Sequence, residues 1–179
     1  MTVGPAAAEQ AARRAAVPVA IHLDHGASLQ SAVQAINLGL RQEMAADDSV
    51  ILLGEDVGQD GGVFRVTDGL LDSFGEDRVL DTPLAESAIM GTSIGMAIAG
   101  MKPVAEMQFI DFIAPAFDMI VNFAAKSRYR TGIGAGLVIR GPCGAGLVGS
   151  ERSIDAVTDH FQGTGFGIGV FLVGIVGAA

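Results

Sequence analysis

A single acidic residue, Glu86, opens a segment that otherwise carries no charge. Apart from Glu86, all residues from Ala85 to Gly100 are Ala, Gly, Ser, Thr, Ile or Met. Thr82-Pro83 precede it and indicate a helix start, because proline is tolerated in a first helical turn. An acid in this place has two explanations. It can be a partly solvated residue that the helix dipole favours, or a buried acid that faces a ligand at the carboxyl end of a strand. The pattern alone leaves both open.

Histidine and cysteine offer little to a metal in this sequence. The chain has three histidines and one cysteine, Cys143, and Asp24-His25 lie together in a Leu-Asp-His-Gly motif. A zinc site normally needs three protein ligands, and a single cysteine excludes both a disulfide and a multi-cysteine site. We therefore expect no metal site in this chain.

The composition favours a globular domain. Half of the 179 residues are apolar and only 17% are charged, which fits one domain with a buried core and argues against intrinsic disorder. Such a composition suits a parallel sheet covered by helices, whose strands are apolar runs. The formal charge of −9 disfavours nucleic acid as a partner, because its phosphates would be repelled.

Apolar runs of strand length alternate with helical segments through the middle of the chain. Strands are predicted at Pro18–Leu23, Val50–Gly54, Val79–Asp81, Val104–Gln108 and Leu137–Arg140. Helices are predicted at Leu29–Ala46, Thr67–Phe74, Leu84–Ala99 and Phe112–Arg128. Strands separated by helices imply right-handed crossovers. The predicted fold class is α/β, a mainly parallel sheet flanked by helices, in which the uncharged Glu86 helix is buried on nearly every side.

A colinear series of motifs carries a family resemblance. In order, the chain contains GEDVG, GGVFRVTDGL, FGEDRVLDTPLAES, GMAIAGMKPVAEMQFIDFI, PAFDMIVNFAAKSRYR and VIRGPCGAG. Over about residues 35–145 these motifs resemble the β subunit of the E1 component of pyruvate or branched-chain 2-oxoacid dehydrogenases. The resemblance implies the thiamine-diphosphate-binding fold, and within it the transketolase-like pyrimidine-binding domain.

The resemblance also assigns chemistry to individual residues. In this family the glutamate of the DTPLAE motif, here Glu86, touches N1′ of the cofactor's aminopyrimidine and promotes removal of the thiazolium C2 proton. The thiazolium ring then holds the electrons left when a 2-oxo acid loses CO2. The family's other pyrimidine contacts match Glu55, Leu84, Gln108 and Phe112. Leu84 and Phe112 would pack on the ring, although each is equally compatible with a place in the core.

Half of the family's cofactor site is not encoded in this sequence. The family holds the diphosphate and Mg²⁺ through a Gly-Asp-Gly motif in a different chain, and this sequence has Gln59-Asp60-Gly61-Gly62 instead. The resemblance therefore implies an E1 α subunit that holds most of the Mg²⁺ site, and a heterotetramer in the cytoplasm. It also implies a 2-oxo acid substrate and attachment to the core of a dehydrogenase complex. Whether the substrate is pyruvate or a branched-chain acid stays open.

The two ends depart from this resemblance. Residues 7–36 resemble class II fructose-bisphosphate aldolase, in which the Asp and His of the LDHG motif, here Asp24 and His25, are a catalytic acid/base and a zinc ligand. The predicted division is an aldolase-like segment (1–34), the pyrimidine-binding domain (35–145) and an unassigned, Gly-rich apolar tail (146–179). His160 in this tail does not match the family's active-site histidine.

The resemblance implies a second α/β domain that this sequence does not contain, and its absence and the tail together determine our expectation for activity. Glycines raise the entropy cost of ordering, so the tail is expected to lack a unique packed structure in the sheet. It is short for a membrane-spanning helix, and no membrane segment is expected. The chain is expected to be a truncated E1 β-like component, and whether it is active alone is open. The alternatives are a non-catalytic remnant that binds an α subunit or self-associates, and an aldolase fragment.

Overall fold

The computed structural model describes residues 29–143 and 169–175, with side chains described for residues 33–142. The α-helices are α1 (Leu29–Ala46), α2 (Leu70–Phe74), α3 (Glu86–Ile98) and α4 (Ser127–Thr131). A 3₁₀ helix (Ile110–Ala116) and a π-helix (Met119–Ala124) lie between α3 and α4. The strands are β1 (Val50–Gly54), β2 (Val79–Asp81), β3 (Lys102–Glu106), β4 (Leu137–Cys143) and β5 (Gly169–Ile175).

The strands form one sheet in the order β2-β1-β3-β4-β5. β1 pairs in parallel with both β2 and β3, and β3 pairs in parallel with β4. The predicted α/β fold with a mainly parallel sheet is therefore confirmed. In the register of the sheet, Gly54 at the end of β1 lies beside Asp81 and Glu106. The carboxyl ends of three strands thus meet at one edge.

The tail contributes a strand that the sequence did not predict. β5 pairs antiparallel with β4, from Leu137 beside Ile175 to Cys143 beside Gly169. The expectation that the tail lacks packed structure in the sheet is wrong for residues 169–175, because a full backbone ladder offsets the entropy cost of the glycines. The rest of the tail and the aldolase-like residues 7–28, with Asp24 and His25, lie outside the described residues.

Hydrophobic clusters cover both faces of the sheet. On one face, Leu53, Ala105 and Ile139 pack against residues of α3 and the 3₁₀ helix. On the other face, Leu52 and Val104 pack with a cluster that includes Met44, Val57 and Leu70. Successive strand residues point to opposite faces, so burial of both faces explains why β1 is apolar throughout.

The helices differ from the prediction where local chemistry interrupts them. α1 has the predicted bounds, whereas α2 begins at Leu70 after Gly69, whose φ of 69° is left-handed. The single helix predicted over Phe112–Arg128 is divided into the 3₁₀ helix, the π-helix and α4. Pro115 lies inside the 3₁₀ helix, where its missing N–H prevents a regular α-helical ladder. Among the described residues, no helix has the length and apolar character required to span a bilayer.

The helix that begins at Glu86 is less buried than its composition predicted. α3 buries Ile89, Met90, Ser93, Ile94 and Ala97 against the sheet. The opposite side is exposed and uncharged, and consists of Ser87, Ala88, Thr92, Gly95 and Ile98. The prediction of burial on nearly every side is therefore wrong for this chain. An apolar helix is normally covered, and here one face has no cover within the described residues.

Candidate functional site

The candidate site lies at the carboxyl edge of the sheet, where three segments leave neighbouring strands. Glu55 follows β1 directly, and Gln108 follows β3 by two residues. The segment after β2 leads to Glu86, the first residue of α3. Ligands of open α/β sheets bind at this edge, so the topology places three of the predicted site residues where a ligand is expected.

A close approach of backbone shapes this edge. A Cβ atom on Gly54 would lie 2.7 Å from the carbonyl oxygen of Glu106, which is much nearer than real Cβ contacts allow. Glycine at this position therefore lets the ends of β1 and β3 come together. Glu55 and the residues after Glu106 are thereby brought close to one another.

Glu55 is a buried carboxylate with an incomplete set of partners. It is 7% exposed, and its Oε1 has no hydrogen-bond partner among the described residues. The nearby backbone N–H of Ala85 favours its ionised form but does not outweigh the opposing effects. Burial raises the pKa of Glu55, and the negative charges of Glu86 and then of Asp56 raise it further. A buried acceptor without a partner is costly, and such a group is suited to contact a ligand.

Glu86 lies near enough to Glu55 for their charges to interact. Its side chain is half-buried at the N-terminus of α3. Ala85, whose backbone N–H lies near the Glu55 carboxylate, directly precedes Glu86. The structure thus brings together two of the predicted site residues, Glu55 and Glu86, as a pair of carboxyl groups.

Gln108 is fixed by a residue that the sequence analysis missed. Its Nε2 donates to Oδ2 of Asp56 at 2.7 Å. Asp56 adopts a φ of 56°, a left-handed conformation that Asp tolerates better than most residues. Asp56 therefore connects the turn after β1 to the turn after β3, next to the Glu55 carboxyl.

Leu84 and Phe112 lie on the surface of the chain. Leu84 is 79% exposed and Phe112 is 45% exposed. The alternative interpretation of these two residues as core side chains is wrong. Both are large apolar groups near the ends of the segments that carry Glu86 and Gln108, and their exposure leaves them free to contact a ligand or a partner.

Two further features of this edge were not found from the sequence. Glu106 and Arg140, on paired strands, form a buried ion pair, with Arg140 Nε 2.9 Å from Glu106 Oε2. The ring of Phe109 contacts those of Phe64 and Phe112 edge to face. The signal for the ion pair was one acid, Glu106, and one base, Arg140, in two mainly apolar strands, but the pairing itself depends on the strand register.

The described residues contain no group of three or more His, Cys, Asp or Glu side chains that could hold a metal ion. The polar groups at the site are the carboxyl groups of Glu55, Asp56 and Glu86 and the amide of Gln108. A buried carboxyl group of this kind can accept a hydrogen bond from a ring nitrogen or exchange a proton with it. The exposed apolar groups can pack on a flat ring.

Comparison with known proteins identifies the class of domain. Residues 29–163 match the family described as transketolase, pyrimidine binding domain. The chain belongs to this family. The match extends past Ala145, where the motif-based resemblance ended.

The chain is also similar to β subunits of 2-oxoacid dehydrogenases. It is 51% identical over 135 residues to the 2-oxoisovalerate dehydrogenase subunit beta of Bacillus subtilis, covering 73% of this chain and 41% of that protein. It is 50% identical over 125 residues to the pyruvate dehydrogenase E1 component subunit beta of Staphylococcus aureus, covering 69% and 38%. The 3-methyl-2-oxobutanoate dehydrogenase subunit beta of Mycobacterium tuberculosis is 48% identical over 134 residues, covering 74% and 38%. The chain thus spans about two fifths of the length of these relatives.

Proposed function

We propose that this chain is the pyrimidine-binding half of a thiamine-diphosphate site in an E1 β-like component. The reaction that it serves is the oxidative decarboxylation of a 2-oxo acid. The observation that carries the proposal is the Glu55–Glu86 carboxyl pair at the carboxyl edge of the sheet, where Oε1 of buried Glu55 has no hydrogen-bond partner within the described part of the chain. The names of these relatives specify pyruvate or a branched-chain 2-oxo acid as the substrate. Both substrates therefore remain candidates for this chain.

The residues at this edge fit an aminopyrimidine ring. Glu86 would contact the ring nitrogen N1′ and hold or exchange a proton there, which is a task for a partly buried carboxyl group. Glu55 and Gln108 would provide further polar contacts at the ring edge. Leu84 and Phe112 expose apolar surface that would pack on its faces. When bound, the cofactor supplies the electron sink for the carbon that loses CO2.

The raised pKa of Glu55 bears on how the pair would work. Burial is the first cause of the raised pKa of Glu55, and the negative charge of Glu86 is the second. A positively charged group bound beside Glu86 would therefore favour the ionised form of Glu55.

The remaining half of the site is assigned to a partner. We place the diphosphate and Mg²⁺ mainly on an E1 α subunit, in a cytoplasmic heterotetramer attached to a dehydrogenase core. The exposed, uncharged face of α3, with Thr92 and Gly95, supports a protein partner, because exposed apolar faces of this kind favour association. Leu84, just before α3, and Phe112, in the first turn of the 3₁₀ helix, are both exposed and would be covered in the assembly.

The same exposed face favours a second candidate function. A non-catalytic chain that binds an α subunit, or a second copy of itself, would use the face of α3 without using the carboxyl pair. This candidate predicts assembly without cofactor binding, whereas the first predicts both.

Calorimetry separates the two candidates. Thiamine diphosphate with Mg²⁺ is titrated into the full chain, into an E1 α subunit from a 2-oxoisovalerate dehydrogenase, and into their mixture. The proposed function predicts tight binding only in the mixture. Tight binding by the chain alone would show that the half-site assignment is wrong, and a stable complex that binds no cofactor would identify the non-catalytic remnant.

A further inference from the structure

The loop that joins β1 to α2 (residues 55–69, the β1–α2 loop) is held by its own hydrogen bonds. The N–H of Gly62 donates to the carbonyl of Asp56 at 2.7 Å, and the N–H of Thr67 donates to the carbonyl of Gly61 at 3.0 Å. The buried hydroxyl of Thr67 donates to the carbonyl of Val57 at 2.7 Å. A loop that closes on itself in this way presents its outer side chains in fixed positions.

Three aromatic rings connect this loop to the candidate site. The Phe64 ring of the loop lies 5.9 Å from the Phe109 ring, at an interplanar angle of 82°. The Phe109 ring lies 5.9 Å from the Phe112 ring, at 85°. Phe64 and Phe109 are half-buried, and Phe112 is exposed. We call Phe64, Phe109 and Phe112 the aromatic chain; it runs from the loop, through the turn after β3, to the exposed ring.

We infer that Phe64 and Phe109 are positioning residues that hold the ring of Phe112, and that the aromatic chain thereby sets the affinity of the site for the aminopyrimidine of thiamine diphosphate. The inference rests on the proposed function, in which Phe112 packs on that ring. An exposed side chain without neighbours samples several rotamers, and ordering it on binding costs conformational entropy. Edge-to-face contact with Phe109 restricts the Phe112 ring before the ligand arrives.

Phe64 joins the aromatic chain to the β1–α2 loop, which is held by its own hydrogen bonds. Phe109 and Phe112 belong to one short turn, in which the N–H of Phe112 donates to the carbonyl of Phe109 at 3.1 Å. Phe64 approaches them from a different segment. The Gln108–Asp56 hydrogen bond joins the same two segments, so the polar contact and the aromatic contact together fix the turn after β3 relative to the loop.

A double-mutant cycle tests the inference in the complex of the full chain with the α subunit. The variants are Phe64→Leu, Phe112→Leu and the double variant, and the quantity measured is the dissociation constant of thiamine diphosphate. Loss of one edge-to-face contact predicts that Phe64→Leu weakens binding by about 3- to 10-fold in the wild-type background. In the Phe112→Leu background it should have no further effect, because the ring that it positions is gone.

Two matched variants and one spectroscopic measurement complete the test. Phe64→Tyr keeps the ring and should restore wild-type affinity, and Val63→Ala, at an exposed neighbour in the same loop, should leave it unchanged. The ring signals of ¹³C-labelled Phe112 should shift in Phe64→Leu, in the free chain. Equal losses of affinity in both backgrounds, or an unchanged Phe112 signal, would overturn the inference. If the wild-type complex binds no thiamine diphosphate, the proposed function fails as well, a result that is distinct from either.

Discussion

At the scale of single residues, the Glu55–Glu86 pair is the feature that a purely structural role explains least well. Glu55 is buried without a full set of partners among the residues that the structure describes, and its ionised form is disfavoured first by burial and then by the charge of Glu86. Burying a carboxylate in this way reduces the free energy of unfolding. Groups that reduce stability in this way are typical of functional sites.

Glu55→Gln should therefore stabilise the isolated chain at neutral pH. The pKa of Glu55 is raised in the folded state, so the folded chain binds the proton more tightly than the unfolded chain does. Stability from this residue is present below the ordinary carboxyl pKa and is lost as pH rises through the raised one.

Urea unfolding of both proteins at about pH 7 and about pH 4 measures this effect. We expect the advantage of Glu55→Gln to be clear at neutral pH and to shrink in acid. A variant that is less stable than the wild type at neutral pH would contradict the assigned pKa shift.

At the scale of secondary-structure elements, the close approach of β1 and β3 determines where the site residues lie. Gly54→Ala would place a Cβ 2.7 Å from the Glu106 carbonyl and force the two strand ends apart. We expect a loss of roughly 1–3 kcal/mol in the free energy of unfolding.

Gly95→Ala is the matched control for this substitution. A Cβ on Gly95 has no atom within 4 Å, and alanine in a helix is favoured over glycine by up to about 1 kcal/mol. Chemical unfolding of the two variants measures both effects. A Gly54→Ala chain as stable as the wild type would show that the edge can open without cost.

Much of the fold and part of the site followed from the sequence. Apolar runs predicted β1, β3 and β4, although Gln108, which was predicted to end a strand, follows β3 by two residues. The Glu106–Arg140 pair and the aromatic chain were missed, because both depend on which residues face each other across separate segments. The burial of α3 was overestimated, because an apolar pattern does not show whether a helix face packs against the same chain or against a partner. Periodicity predicted one continuous helix over Phe112–Arg128, and Pro115 interrupts it.

At the scale of the whole molecule, the exposed face of α3 bears on the proposed partner. Thr92 lies in the middle of this uncharged face. Thr92→Arg should weaken association with the α subunit by at least about tenfold, because an unpaired charge would be buried in the interface. The stability of the free chain should change little, since Thr92 is exposed.

Sedimentation or size-exclusion chromatography of mixtures with the α subunit measures this association. Glu76→Arg is the control, because Glu76 is exposed in the turn after α2, away from the face of α3. Undiminished assembly by Thr92→Arg would show that the partner docks elsewhere.

The most direct test of the proposed function is the decarboxylation of pyruvate and of 3-methyl-2-oxobutanoate by the complex of the full chain with the α subunit. It compares the wild type with Glu86→Ala and follows assembly of the complex in parallel. Removal of a general acid–base group predicts a loss of at least about 100-fold in rate, with assembly nearly unchanged because Glu86 lies at the end of α3, away from its exposed middle. A Glu86→Ala complex that assembles and decarboxylates either acid at the wild-type rate would contradict the proposal.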